Sequence, residues 1–492
     1  MVPILATVGC ILFIVYLFWT DLRRPDSPSK ALWVPLAWMF LAGSRWVSSW
    51  LNVAPTLASA SDYAEGSPLD RAVFFGLIVA GIFILSRRKI NWGKLLVNNK
   101  WIILYFLYCL ASAAWSDEPF VLVKRWIKDL GNPIMALVIL TERRPYEAIM
   151  VVLRRLAFLL LPLSVLFIRY YPELARSYRP DGSPMYTGVG HQKNDLGLMC
   201  LMAGLYLFGE LLQRRKETGL TFTRQHKIVF VVLIGMLAWL LHMSDSQTSV
   251  ACLLTAVLVL LLGRMPFVAR RPSGIIGVLF CSALVIWLLN DVLDVKGLVL
   301  SFLGRNPTLT NRTEVWQTLG AFAVNPIVGT GFMSFWTGER LDHVWRLLGA
   351  GINQAHNGYL EQYLNLGYVG VAFIVIIMLS GLLGVRRHLN VDPAAGMLRL
   401  CFIVSAALYN FTEASFYGMS DMWVLLLLGC LEVPRQNQPR PVGNSWSIHQ
   451  TTQGKVNIRP ASVRGKELHS GSIYAKLQRA RRSGLPNGTS SV

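Results

Sequence analysis

Charge is what this sequence has least of. Across 492 residues, Asp, Glu, Lys and Arg make up only 15%, against 53% hydrophobic residues. That balance excludes an ordinary soluble globular chain, in which about a quarter of residues are charged. The signatures of nucleotide-driven and zinc chemistry are missing too: there is no Walker loop, no His-Glu-x-x-His, no Gly-x-Ser-x-Gly and no Asp-x-Asp pair. Cysteine is sparse, and all seven (Cys10, Cys109, Cys200, Cys252, Cys281, Cys401, Cys430) fall inside apolar stretches, where they act as small hydrophobes, so neither a disulfide nor a zinc site is expected. Acidic residues are the scarcer sign, 27 against 47 basic, for a net charge of +20. Such an excess can mark a nucleic-acid binder. Here the basic residues sit mainly in short connections between apolar runs, at Arg23 and Arg24, Arg87 to Lys89, Arg143 and Arg144, Arg214 to Lys216, Arg270 and Arg271, and Arg386 and Arg387. This is the positive-inside distribution of a membrane protein, and no nucleic-acid partner is expected.

The apolar runs that remain are long. Ile228 to Met243, Ser249 to Leu262 and Ile275 to Leu289 carry no formal charge, and each approaches the roughly 20 residues that a spanning helix needs. Only helices or closed barrels satisfy every backbone group in hydrocarbon, and these runs lack the alternation of barrel strands. The expected fold is therefore all-α, a polytopic transmembrane bundle of about 11 to 13 helices. With the basic connections inside, the N-terminus lies outside. The first apolar run has no basic segment before it and no small-residue cleavage site after it, so it is expected to be a retained helix. The chain then divides into helices and short loops over 1–290, a large outer loop over 291–364, closing helices over 365–433 and a basic tail over 434–492. That tail, with the single acid Glu467, either stays solvated or lies on anionic headgroups.

Six connections fall outside, near residues 54–70, 116–125, 169–191, 244–249, 291–364 and 410–420. The fifth is long enough to fold on its own. Thr310 or Asn311 can cap a helix with Val315, Trp316, Leu319 and Phe322 on one face, ended by Asn325 and Pro326. Amphipathic turns follow around Val344 to Leu348 and Tyr359 to Leu364. No internal repeat of the transporter kind is seen.

Four outer segments carry unexpected polar residues. Gly43 to Trp50 sets Arg45 in the outer half of a span, where it either faces a cavity or snorkels to the interface. Trp115-Ser116-Asp117-Glu118-Pro119 precedes Lys124, Arg125 and Lys128, which either pair with Asp117, Glu118 and Asp129 or attract an anionic headgroup such as a diphosphate. Gly188 to Gly197, with His191, Lys193 and Asn194, opens a span as either a tight capped turn or a phosphate cradle. The long loop holds Arg312 and Glu314 near its start and His356, Asn357 and Glu361 near its end. Arginine grips a diphosphate bidentately, and histidine can take a proton from a sugar hydroxyl at neutral pH. Asn357 and Glu361 lie four apart on one helical face, able to orient a polar ligand. The bland alternative is that Arg312 and His356 only tie the loop together.

In this order, these segments resemble those of the O-antigen ligase and polymerase family, and within it the exopolysaccharide polymerases of the ExoQ kind. Gly43 to Trp50 is similar to the family's Ser-Arg segment, Trp115 to Pro119 to its Trp-Ser-x-x-Pro turn, and Gly188 to Gly197 to its Gly-His-Lys-Asn-x-Leu-Gly motif. Gln192 is inserted between His191 and Lys193, which leaves open which of those two keeps the family role. Ser244 to Thr248, Asn311 to Trp316, Pro326 to Phe332 and Ala355 to Leu360 complete the likeness. The resemblance implies a metal-independent, inverting glycosyltransferase of the bacterial inner membrane. It would need no cofactor and would face the periplasm. Its donor would be an oligosaccharide on undecaprenyl diphosphate; its surroundings are membrane lipids, and a chain-length regulator is a candidate partner. Arg312, helped by Arg45 or Arg125, would neutralise the leaving diphosphate. His356 would activate the acceptor hydroxyl, with His191, Lys193, Asn194, Glu314, Asn357 and Glu361 as substrate contacts. A lipid-linked polysaccharide flippase is the alternative, but its polar groups belong near the midplane rather than in outer loops.

Overall fold

Apolar stretches of uneven length give helices of uneven length. The computed structural model describes residues 1–23, 29–53, 67–178, 182–217, 224–282, 312–322, 324–349 and 352–434. The expected cap at Thr310 or Asn311, the first part of the long loop and the basic tail lie outside these residues. The elements that matter are α1 (Val2–Leu22), α2 (Trp33–Gly43), α3 (Pro68–Ser86), α4 (Trp92–Asn98), α5 (Lys100–Ala111), α6 (Pro119–Asp129), α7 (Gly131–Leu140), α8 (Pro145–Tyr170), α9 (Lys193–Glu217), α10 (Arg224–Ser244), α11 (Gln247–Leu262), α12 (Arg312–Gly320), α13 (Gly338–Leu348), α14 (Gly358–Leu389), α15 (Pro393–Thr412) and α16 (Asp421–Cys430). A two-stranded antiparallel hairpin pairs β1 (Arg176–Tyr178) with β2 (Pro184–Tyr186). Proline opens α3, α8 and α15 at positions whose N–H has no helical partner, and side chains of Ser67, Asn91, Asn357 and Asp392 accept the first amides of α3, α4, α14 and α15.

The chain is a multi-pass, all-α membrane protein. Among the described residues seven helices are long and apolar enough to cross a membrane, and the pair α4 and α5, bent by 80°, makes an eighth if counted as one span. Lys30–Gly43, Gln247–Leu262 and Asp421–Cys430 are apolar but shorter. Among the described residues, the bundle of about 11 to 13 helices expected from hydropathy thus includes bent and short ones. Burial sorts them: 78% of the apolar window is buried in α8 and in Lys193–Leu212, against 6% in α1. Helices α8 and α9 form the centre of the bundle, and α1 lines its edge.

The long loop has a small core of its own. Leu319 from α12, Leu341 and Val344 from α13, Phe335, Trp336 and Leu364 pack together, with Val315 and Phe322 against them. This is the face that the helical spacing marked. The turn expected at Tyr359 to Leu364 is instead the first part of α14, which breaks at Gly367, where φ is +64°. Backbone from the loop fills that break: the amides of Thr330 and Gly331 donate to the carbonyls of Leu364 (3.2 Å) and Asn365 (2.8 Å), and those of Tyr368 and Val369 to Pro326 (2.8 Å) and Ile327 (3.2 Å). A Cβ at Gly367 would overlap the backbone of Ile327 and Val328.

At the end of the bundle away from that loop, arginines and carboxylates meet in pairs, with Asp21, Arg154, Arg155 and Arg399 buried and Arg88, Glu142 and Glu432 half-buried. Arg154 and Arg155 of α8 both meet Asp21 of α1, the second through Nε at 2.8 Å, with Trp33 stacked on the Arg155 guanidinium. Arg399 donates to Gly429 O (3.0 Å), Leu431 O (3.1 Å) and Glu432 (2.7 Å), and Arg88 meets Glu142.

Candidate active site

The outer segments meet at the other end. Ser48 donates its backbone N–H to Asp70 (2.9 Å), Ser116 shares a hydrogen bond with Ser334 (2.8 Å), Lys193 pairs with Asp245 (3.2 Å), and Thr248 bonds Thr412 (2.6 Å). Between them lies a cavity of about 1150 Å³.

One wall is cationic. Helix α6 is amphipathic, and its Lys124, Arg125 and Lys128 line the cavity beside Arg71 of α3. Arg125 Nη1 donates to Met333 O at 2.5 Å, and Met333 itself has φ +53°, a left-handed backbone that costs a non-glycine residue roughly 1–3 kcal/mol. The Lys128 ammonium lies 4.2 Å from the Trp46 ring centre and 4.8 Å from that of Phe74. Burial pulls its pKa down to about 8; Arg125 adds to the fall, while Asp70 and Asp129 oppose it.

On another wall, the connection after α15 presents Glu413, buried and lining the cavity. Arg312 at the start of α12 donates to Thr412 O and, through Nη2, to Glu413 Oε1 at 2.6 Å. His356 Nδ1 lies 3.4 Å from the other oxygen of the same carboxylate. Glu413 therefore joins the two residues that the sequence nominated as catalytic. His356 has φ +49°, and its neighbour Asn357 caps α14 by accepting the amides of Tyr359 and Leu360, both at 3.0 Å. The cap fixes the turn that presents the imidazole, and Glu413 opposite Nδ1 favours the tautomer with the proton there, leaving the Nε2 lone pair for a substrate proton.

The other nominated residues separate into two groups. Arg125 and His191 line the cavity. Arg45 donates to Leu174 O and has its pKa lowered by burial; its charge, after burial, also lowers that of His191, whose ring meets Trp46 at 6.0 Å. The second group is not brought to the cavity. Lys193 is spent on Asp245, Asn194 is buried with its carbonyl accepting from Tyr409 (3.4 Å), and Glu314 is exposed on α12. The Gly188 to Gly197 segment forms a capped turn, because Asp195 accepts the amides of His191 (3.0 Å) and Gln192 (3.1 Å). The inserted Gln192 lines the cavity beside His191. Asn357 is the helix cap already described. Glu361, fully buried, accepts from Trp336, Tyr417, Ala355 N (2.7 Å) and Asn365 (3.1 Å), which ties the loop to the helices. Sequence reasoning missed Glu413 and Asp70. The signal available in the sequence is an acid in an outer connection.

Comparison with known proteins adds two findings. The family described as O-antigen ligase matches residues 229–375, a stretch that holds Arg312 and His356. The exopolysaccharide production protein ExoQ of Rhizobium meliloti (strain 1021) is 24% identical over 416 residues, covering 80% of this chain and 90% of that protein. Both matches point to one family, the O-antigen ligases and polymerases. The matched region ends before Glu413 and begins after the cationic wall, so each of those is supplied by parts of the chain outside it.

Proposed function

We propose that this chain is an inner-membrane glycan polymerase or ligase that transfers a glycan from undecaprenyl diphosphate to a sugar hydroxyl, on the periplasmic side. The carrying observation is that a buried glutamate lining a cavity, Glu413, pairs with both His356 and Arg312, while Lys124, Arg125 and Lys128 line the same cavity. In this reading Lys124, Arg125 and Lys128 take the diphosphate, with His191 and Arg45 beside them. The acceptor oxygen attacks the anomeric carbon as the bond to the diphosphate oxygen breaks and the diphosphate leaves with the electron pair. The hydroxyl proton passes to His356 Nε2, and Glu413 stabilises the imidazolium that forms. Arg312 has two tasks, fixing Glu413 and adding positive charge near the departing diphosphate. A single displacement of this kind inverts the anomeric configuration, and no step in it requires a metal. Kinship with a protein named for exopolysaccharide production supports the substrate class.

The test uses full-length protein purified in detergent or liposomes with lipid-linked repeats. Long glycan formed in the presence of chelator supports the scheme; synthesis abolished by chelator, or preserved in full by His356→Ala, removes it.

A further inference from the structure

The transfer scheme gives Glu361 no task, yet four donors converge on it. Its Oε1 accepts from the Trp336 indole, the Tyr417 hydroxyl and the Asn365 amide (3.1 Å), and its Oε2 accepts from the Ala355 N–H (2.7 Å). None of the four is a cation. The carboxylate is fully buried in the first turn of α14, where the partial positive charge of a helix N-terminus favours it. What distinguishes it is where its donors come from. Ala355 directly precedes His356, and Tyr417 lies four residues after Glu413 in the connection between α15 and α16. One carboxylate therefore bonds both the segment that carries the histidine and the segment that carries its glutamate.

The two segments also touch directly. A Cβ at Gly358 would overlap Asn410, whose Oδ1 accepts from Ser415 N (2.7 Å), so only glycine lets the start of α14 come this close. His356 then sits between two fixed points, Ala355 held by Glu361 and Asn357 held as the helix cap. That is how it keeps a left-handed backbone, φ +49°, which a non-glycine residue holds only where its surroundings impose it. The gap from its Nδ1 to Glu413 is 3.4 Å, the long end of a hydrogen bond, so a small shift of either segment breaks it. Glu361 does not line the cavity, and any effect it has on the reaction passes through others. We propose that Glu361 is a positioning residue: by bonding both segments it sets the approach of His356 to Glu413 without touching substrate. The proposal rests on the glycan-transfer reading and adds what holds the catalytic pair together.

The test uses full-length protein in liposomes with lipid-linked repeats. Glu361→Gln keeps the shape, but its NH2 group at the Oε2 position meets another donor, the Ala355 N–H, and the grip beside His356 is lost. Turnover should fall about 10-fold to 100-fold, the scale of a misplaced catalytic group, with KM within about twofold of the wild type. Tyr417→Phe removes one hydroxyl from the same carboxylate without disturbing the fold and should lower turnover about 3-fold to 10-fold. In a His356→Ala background, Glu361→Gln should cost nothing more, because it acts through that imidazole; a further loss marks a general structural role and overturns the proposal. Carbethoxylation of His356, followed by mass spectrometry, needs no turnover and should quicken at least about threefold in Glu361→Gln, with His191 unchanged. Unchanged labelling or unchanged turnover in Glu361→Gln overturns the positioning role. Full activity of His356→Ala, together with faster labelling of His356 in Glu361→Gln, refutes the transfer reading and leaves the clamp standing.

Discussion

The two ends of the bundle differ in how far their carboxylates are paired, although Glu413 is paired with Arg312 at the cavity. At the end holding Asp21, Glu142 and Glu432, each of these carboxylates is in an ion pair with arginine. Around the cavity, Asp421 and Asp129 keep oxygens without partners, Lys128 loses basicity to burial, and Met333 and His356 hold strained backbone. Closed pairs fix helices against one another. Unfinished ones cost stability and are retained where a ligand completes them.

The sharpest way to break this contrast is His356→Ala, expected to lower glycan transfer by about 100-fold to 10,000-fold with little change in melting temperature. Glu413→Gln comes next, with a loss of up to about 10,000-fold, the scale of an orienting carboxylate behind a catalytic histidine. A rate that matches the wild type would reduce Glu413 to a loop anchor. The mirror experiment is Asp21→Asn at the other end. It leaves Arg154 and Arg155 buried without a counter-charge and should cost about 3–5 kcal/mol of stability, seen as a lower unfolding temperature, with turnover per folded molecule unchanged. Arg312→Lys should recover only part of the activity, because an ammonium keeps the charge but not the fork. The smallest effect concerns Lys128. Its ammonium is the charged form below about 8, so affinity for undecaprenyl diphosphate should be full at lower pH and fall several-fold as pH rises through that value. Lys128→Arg should flatten the dependence, and a wild-type affinity independent of pH would take Lys128 out of the binding wall.

Much of the architecture was readable because hydropathy and basic connections are local signals. The apolar runs at Ile228 and Ser249 became α10 and α11, and the face of Val315 and Leu319 became the core of the loop. What local signals cannot carry is who meets whom. Glu413 reaches His356 and Arg312 across 57 and 101 positions of sequence, and no spacing rule connects them. The same blindness applied to Lys193 and Glu361, whose side chains are used up by Asp245 and by Trp336 and Tyr417. The break in α14 was hidden as well, because Gly367 sits in a run whose hydropathy reads as continuous helix.

That break reaches beyond its own geometry. A helix interrupted near a membrane surface ordinarily exposes amides that trade their hydrogens with solvent quickly. Here those of Tyr368 and Val369 are tied to Pro326 and Ile327, and those of Thr330 and Gly331 to the helix in return. In a deuterium-labelling experiment this corner should label as slowly as the bundle interior, although half of it is loop. The first turn of α14, which presents His356, would then rest on a footing that does not breathe when substrate comes and goes.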